Sequence, residues 1–386
     1  MKCNTNGCHL FLPRVFDTPR ANLLRGGIAV KIVTRVIAVA LCLAPGVLSA
    51  QENSPKTLAP IWREAQPATT ETELDRLNRA MVQLADGSRP AIVQIRVTGQ
   101  DTKGGQSEPQ NSRGSGFLID PQGYLLTAQH VVDKAKEIEV RLANGDRLAA
   151  EVIAADSQID LAILKVFAGK PMPILSFADS DTVRVGDLSL VFGYPFGRES
   201  SMSLGIISRA GRSYADSASF DYIQTDAGAY AGGSGGPLLN RQGHVVGMIT
   251  MASERGNMGF ATPINVIKKV LPRLVNGEKF AWGWLGVQLS DISLEQAKTL
   301  GLHPVKGVVI RSVLPEQPAA RGGIQKQDVI LAVNEYNVDS PRDVLRMVGG
   351  LEAGRVVRLT IIRKGRTMQI SVPLGAKPES AKASEG

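Results

Sequence analysis

Gly232-Gly233-Ser234-Gly235-Gly236-Pro237-Leu238-Leu239-Asn240-Arg241-Gln242-Gly243-His244 is the stretch on which the fold turns. A G-x-S-x-G run fits two unrelated geometries. The nucleophile elbow of an α/β sheet needs a strand before the serine and a helix after it. A helix begun at Ser234 would meet Gly235, Gly236 and Pro237 in its first turn, so that geometry is disfavoured. The chain from Pro237 onward reads instead as a short strand, a turn at Arg241-Gln242-Gly243 and a second strand to Met251. Ser234 therefore sits on a loop that opens a β-hairpin.

A serine so placed is activated by a histidine and an aspartate, which in paired β-barrels precede it in the order His, Asp, Ser. Histidine is scarce: His9, His130, His244 and His303. His130 ends Leu125-Leu126-Thr127-Ala128-Gln129, just after a predicted strand. Asp160 opens the strand Leu161-Ala-Ile-Leu-Lys-Val. His244 falls inside a strand and His303 beside Pro304, both read as structural or surface positions. His130, Asp160 and Ser234 are the candidate catalytic residues. The backbone N–H groups of Gly232 and Ser234 are the candidate oxyanion donors.

Outward from these residues, short strands recur at 91–97, 140–143, 147–149, 161–166, 185–193, 203–209, 244–251 and 258–261. A hairpin is signalled at Asn144-Gly145. Thr72 to Leu84 reads as a helix ended by Asp86-Gly87. Thr262-Pro263 reads as a cap and first position of another, kinked at Pro272 and closed by Gly277. Asp101 to Arg113 reads as a short polar loop. Residues 282–375 form a second unit of strands around two short helical stretches. The fold class expected is mainly β, a double barrel with a C-terminal α+β unit.

The chain has 386 residues, room for two or three domains, and a formal charge of +8. Residues 1–50 carry +5, residues 51–280 carry −1 and residues 281–386 carry +4. No basic face suited to nucleic acid is therefore expected. The arginines and lysines of the second unit, among them Arg321, Lys326, Arg342, Arg346 and Arg355, read as a solvated face. Cys3, Cys8 and Cys42 are the only cysteines, which excludes a disulfide scaffold or thiolate chemistry beyond residue 50. The spread histidines offer no metal cluster, and no cofactor is expected. Val36 to Val47 is apolar but for Pro45 and Gly46, follows Arg35, and leads to Leu48-Ser49-Ala50. That is the pattern of a secretory signal peptide over 1–50, cleaved after Ala50, with an uncleaved anchor as the alternative. Translation is expected to begin near Val30. Residues 51–71 read as a linker, in which Trp62 is a packing anchor between subunits or a docked surface residue. Residues 376–386 read as a polar tail.

Gly114-Ser-Gly-Phe-Leu-Ile-Asp, Tyr124-Leu-Leu-Thr-Ala-Gln-His-Val-Val, Asp160-Leu-Ala-Ile-Leu-Lys, Gly193-Tyr-Pro-Phe-Gly, Ile223-Gln-Thr-Asp-Ala and Gly233-Ser-Gly-Gly-Pro-Leu together resemble the HtrA/Deg serine proteases over residues 72–375. The resemblance implies a chymotrypsin-like protease domain over 72–280 and a PDZ domain over 281–375. It also implies ATP-independent hydrolysis of misfolded exported proteins in the periplasm, and a homotrimer. Trp284-Leu285-Gly286-Val287 resembles the PDZ loop that captures a peptide C-terminus, and Pro318 to Asn334 fits the same module. Ala229, Tyr230, Met251 and Phe260 are expected around the substrate pocket, with a small or medium apolar side chain before the cleaved bond. Gly228 stands where trypsin-like enzymes carry Asp, so cleavage after Lys or Arg is not expected. The family usually has Asn where this chain has Gly233, which predicts a looser oxyanion loop, and Gly where it has Gln327. The alternative function is a catalytically quiet chaperone or scaffold that keeps the fold.

Overall fold

The computed structural model describes residues 70–378 apart from 104–105, 211–219 and 254–255. The signal segment, the linker to residue 69 with Trp62, and the tail from residue 379 lie outside the described residues. Helix α1 (Glu73–Ser88) starts where Thr72 caps it, in a reciprocal box with Asp75. It runs through Gly87 rather than stopping before it. Its period places Leu74 and Leu77 on a face that is exposed, while Leu84 reaches the turn at Gly243.

The first barrel closes from β1 (Ile92–Lys103), β2 (Gln106–Leu118), β3 (Tyr124–Ala128), β4 (Ala135–Arg141), β5 (Arg147–Asp156) and β6 (Leu161–Val166), in the order β1-β2-β3-β6-β5-β4. The four-residue helix α2 (Gln129–Val132) follows β3. Within the expected loop at 101–113, residues 101–103 and 106–113 instead pair as the far end of a long antiparallel ribbon, with Asp101 opposite Glu108. Strand pairing satisfies its backbone whatever its polarity. The apolar run of β6 is buried along its whole length, as expected of a strand covered on both faces.

The second barrel repeats the arrangement with β7 (Leu188–Gly193), β8 (Ser201–Arg209), β9 (Ile223–Thr225), β10 (Pro237–Leu239), β11 (Val245–Ala252) and β12 (Gly259–Pro263), in the order β10-β11-β12-β9-β8-β7. Helix α3 (Ile264–Val275) seats Ile264, Ile267, Val270 and Leu274 in the core and continues through Pro272. Thr262 does not cap it. Thr262 belongs to β12 and donates its hydroxyl to the Ile159 carbonyl at 3.2 Å, which ties the second barrel to the residue before Asp160.

The C-terminal unit contains β13 (Gly283–Trp284), β14 (Val287–Asp291), α4 (Leu294–Thr299), β15 (Val308–Val313), α5 (Pro318–Arg321), β16 (Val329–Val333), β17 (Tyr336–Asn337), α6 (Pro341–Gly349), β18 (Val356–Arg363), β19 (Arg366–Pro373) and β20 (Gly375–Ala376). It has three helices where the sequence indicated two stretches. Its main sheet runs β14-β15-β16-β18-β19, which among the described residues leaves one edge of β14 unpaired, beside α6. Asp328 is buried and takes both oxygens to the Arg363 guanidinium at 2.7 and 2.8 Å. Gln327 sits at φ 75°, the left-handed region that glycine enters freely and other residues at about 1–2 kcal/mol. That is the physical reason a glycine is the usual residue at this turn.

Several contacts cross from this unit to the barrels, among them those of Lys269 to the Gly350 carbonyl and of Arg273 to Glu352. Buried Trp282 donates Nε1–H to the Asp156 carboxylate at 2.8 Å. Arg342 and Arg346 lie 3.7 and 3.5 Å from the Asp221 carboxylate; Arg342 is half-buried there, whereas Arg346 stays exposed. Among the described residues no helix is long and apolar enough to cross a membrane.

Candidate active site

Asp160 is built to hold His130. It occupies φ 53°, a conformation Asp tolerates better than most residues. Its Oδ1 accepts the His130 backbone N–H at 2.9 Å and its Oδ2 faces His130 Nδ1 at 2.8 Å. Oδ2 also accepts the hydroxyl of Thr250 in β11. With both carboxylate oxygens engaged, the imidazole is turned so that Nδ1 carries the proton and Nε2 is left to act as base. The hydrogen bond that His130 donates to Asp160 raises the His130 pKa above its ordinary value, against the opposing effect of burial, and the carboxylate charge adds to the rise. Tyr222 packs edge-on to Phe220. Its hydroxyl is pushed up to about 12, first by burial and then by the charge of Asp160, so it stays neutral beside the pair.

The nucleophile loop is fixed by its carbonyls. Ala231 O accepts from Phe196 N (2.7 Å), Gly233 O from Gly236 N (2.9 Å) and Ser234 O from Ser115 N (2.9 Å). Gly232 O accepts the Ser115 hydroxyl at 2.7 Å. In a trans peptide the C=O and the next N–H point in opposite directions. Holding the carbonyls of Ala231 and Gly233 therefore aims the N–H groups of Gly232 and Ser234 to the other side. Among the described residues neither N–H is donated to an internal acceptor. Two uncommitted donors next to a serine are what an oxyanion needs. Gly233 is explained by the same packing: its N–H donates to Tyr230 O at 2.7 Å, and a Cβ there would stand 2.9 Å from that oxygen. Glycine here gives a tightly knit loop rather than the looser one its composition suggested.

The segments carrying Ser234 and His130 are packed on each other. A Cβ at Gly235 would lie 2.8 Å from Ala128 N, and one at Gly114 would meet both Val131 and the Ser234 carbonyl. No hydrogen bond joins Ser234 Oγ to the imidazole among the described residues. His244 is elsewhere, exposed and closing the turn with Asn240. His303 is exposed in the C-terminal unit.

The expected pocket residues divide. Ala229 is buried, donates to the Gly256 carbonyl at 3.1 Å and abuts Gly259. Tyr230 is 43% exposed. Its ring lies against both Gly228 and Gly256, where added Cβ atoms would come within 2.9 and 2.3 Å of it. Met251 and Phe260 face each other across β11 and β12; Met251 is half-buried, whereas Phe260 is buried in the core. Phe196, which sequence reasoning did not single out, is 64% exposed at φ 56°, its ring 6.1 Å from Tyr230. Ser115 was also missed, although it lies within the glycine-rich motif at 114–120.

In the C-terminal unit Trp284, Leu285, Gly286 and Val287 line a small cavity of about 30 Å³ with Leu289, Val344 and Val348. Gly286 is at φ 77°, and a Cβ there would stand 2.2 Å from Gln317 Cβ. Among the described residues no group of three His, Cys, Asp or Glu side chains is placed to hold a metal.

Residues 114–248 match the trypsin-like peptidase domain and residues 283–374 the PDZ domain. A probable periplasmic serine endoprotease, DegP-like, from Pseudomonas savastanoi pv. phaseolicola is 40% identical over 281 residues, covering 72% of this chain and 58% of its own length. The chain thus spans less than two thirds of that curated relative. Its counterpart from Pseudomonas fluorescens is 35% identical over 362 residues, 90% of this chain and 76% of its own length. Among solved structures, the HtrA-type protease AlgW with a tripeptide superposes with a TM-score of 0.68 at 31% identity, covering 77% of this chain and 97% of the other. The serine endoprotease from Yersinia pestis gives 0.59 at 27%, covering 77% and 98%. With two six-stranded barrels, a PDZ domain and relatives of this similarity, the chain belongs to the HtrA/DegP-like serine protease family.

Proposed function

We propose that this chain is an exported serine endopeptidase that cuts unfolded proteins through an acyl-enzyme. One observation carries the reading. A histidine locked by Asp160 into the tautomer of a base is packed against a serine loop whose two N–H donors are uncommitted. Ser234 Oγ attacks the peptide carbonyl as His130 Nε2 takes its proton, and Asp160 stabilises the imidazolium that forms. The N–H groups of Gly232 and Ser234 receive the negative oxygen. His130 then returns the proton to the leaving amine, and water repeats the sequence to release the acyl group.

The unpaired edge of β14 beside α6 and the Trp284–Val287 loop fit capture of a peptide C-terminus as an added strand. The periplasmic naming of the relatives supports export, with the domains bounded at 72–280 and 281–375. The exposed apolar residues of α1 support assembly with further copies, as a homotrimer. Labelling with a fluorophosphonate tests the catalytic reading. The wild-type chain is expected to be modified and Ser234→Ala not. Absence of label in the wild type with and without a C-terminal peptide would favour the catalytically quiet scaffold.

A further inference from the structure

Ser115 lies 117 positions before Gly232 and is fully buried. Its hydroxyl makes two bonds at once. It accepts the backbone N–H of Tyr194, the residue after β7, at 2.8 Å. It donates to Gly232 O at 2.7 Å. Its own backbone N–H donates to Ser234 O at 2.9 Å, and its carbonyl accepts the Thr127 hydroxyl at 2.8 Å. Residues 231–234 have four carbonyls, and Ser115 holds two of them. Every other described tie on these carbonyls comes from a backbone N–H, which substitution leaves in place.

The 232–233 peptide lies between the two oxyanion donors. Its N–H end is fixed by Tyr230 O and its C=O end by the Ser115 hydroxyl. Removing the hydroxyl leaves a buried carbonyl and the Tyr194 N–H without partners, a cost relieved when the peptide rotates toward another donor. That peptide links the 231–232 and 233–234 peptides, which carry the two oxyanion donors, so turning it about the Gly232 and Gly233 backbone bonds, where no Cβ resists, shifts the Ser234 N–H relative to the Gly232 N–H.

We infer that Ser115 is a positioning residue for the oxyanion hole, a hydroxyl clamp from the first barrel that fixes the Gly232–Gly233 peptide linking the two donor peptides. The inference rests on the peptidase reading above. It acts without touching substrate, so its signature is on kcat and not on KM. Ser115→Ala should lower kcat about ten- to a hundredfold, somewhat less than the 10²–10³ typical of deleting an oxyanion donor itself, with KM little changed.

The test measures peptide hydrolysis and the affinity of a peptide boronate, whose tetrahedral adduct needs the hole, on the full chain. Ser115→Ala should weaken boronate binding by the same factor as kcat. Ser189→Ala, which deletes another buried hydroxyl in the second barrel, bonded to Thr225 at 2.8 Å, should lower the thermal midpoint while leaving both ratios near wild type. If Ser115→Ala does not accumulate folded, Ser115→Cys, of similar volume but a weak donor, carries the same expectation. Retention of kcat and boronate affinity within about threefold would overturn the clamp, as would equal losses in Ser189→Ala. A wild-type chain that neither hydrolyses peptide nor labels at Ser234 would instead defeat the peptidase reading beneath it.

Discussion

Replacing Asp160 by Asn separates shape from charge at the site. The His130 backbone N–H bonds Oδ1 at 2.9 Å, so the asparagine must keep its carbonyl oxygen there. Its Nδ2 then occupies the place of Oδ2, facing His130 Nδ1 at 2.8 Å as a donor. The imidazole must accept at Nδ1 and carry its proton on Nε2, the atom required as base. The Thr250 hydroxyl can rotate to accept from Nδ2, so nothing restores the original arrangement. A residue fixed in the wrong tautomer costs about 10⁴ in kcat in the Ser-His-Asp enzyme where it was measured, or roughly 5.4 kcal/mol at 1.36 kcal/mol per decade. The assay is initial-rate hydrolysis of a fluorogenic peptide between pH 6 and 9, alongside the thermal midpoint. A rate within tenfold of wild type, in a folded variant, would refute the claim that Asp160 sets the tautomer.

The raised pKa of His130 gives a second expectation. The neutral imidazole is the base, so kcat/KM should climb through a midpoint above 6.5, the ordinary histidine value. A pH series at low substrate measures it, and a midpoint below 6.5 contradicts the assignment. At the C-terminal unit, Gly286→Leu must force a side chain into the 2.2 Å separation from Gln317 Cβ at a positive φ. Anisotropy with a labelled C-terminal peptide should show at least tenfold weaker binding, while Ser234 still labels. Trp282→Phe removes the donor to Asp156, both groups being buried. The loss should be about 1.5–3 kcal/mol, as for a hydrogen bond to a charged group, read as a lower denaturant midpoint at unchanged slope.

Much of the site was legible because its logic is local. His130 follows a strand, Asp160 opens one, and Pro237 after the glycines forbids a helix at Ser234. What escaped depends on segments far apart in the chain. Ser115 reads as part of a glycine-rich strand, and nothing near it announces a bond to Gly232. Asp221 gives no sign that two arginines more than a hundred residues on will face it. Thr262 carries a good capping signal, but a barrel carbonyl wins its hydroxyl, because a buried acceptor without a donor costs more than an uncapped helix start. The ribbon over 101–113 was missed for the opposite reason: backbone pairing with a neighbour can carry a strand without an apolar face. Phe196 lies in the Gly193-Tyr-Pro-Phe-Gly motif, but exposure is not a property that its sequence context reveals.

The Tyr230 ring between Gly228 and Gly256 joins two loops in a region of the chain that has no cysteine. A covalent staple would be either made or broken, and its state would follow the surrounding redox potential. Stacked contact of a ring on two backbones gives way by degrees, and re-forms without an oxidant. On the proposed peptidase reading, a wall built this way would be compliant, able to widen for a bulky side chain of an unfolded chain and close on a small one. Tolerance for varied sequence would then come from a hinge of dispersion forces, and would tighten or slacken with temperature rather than with thiol chemistry.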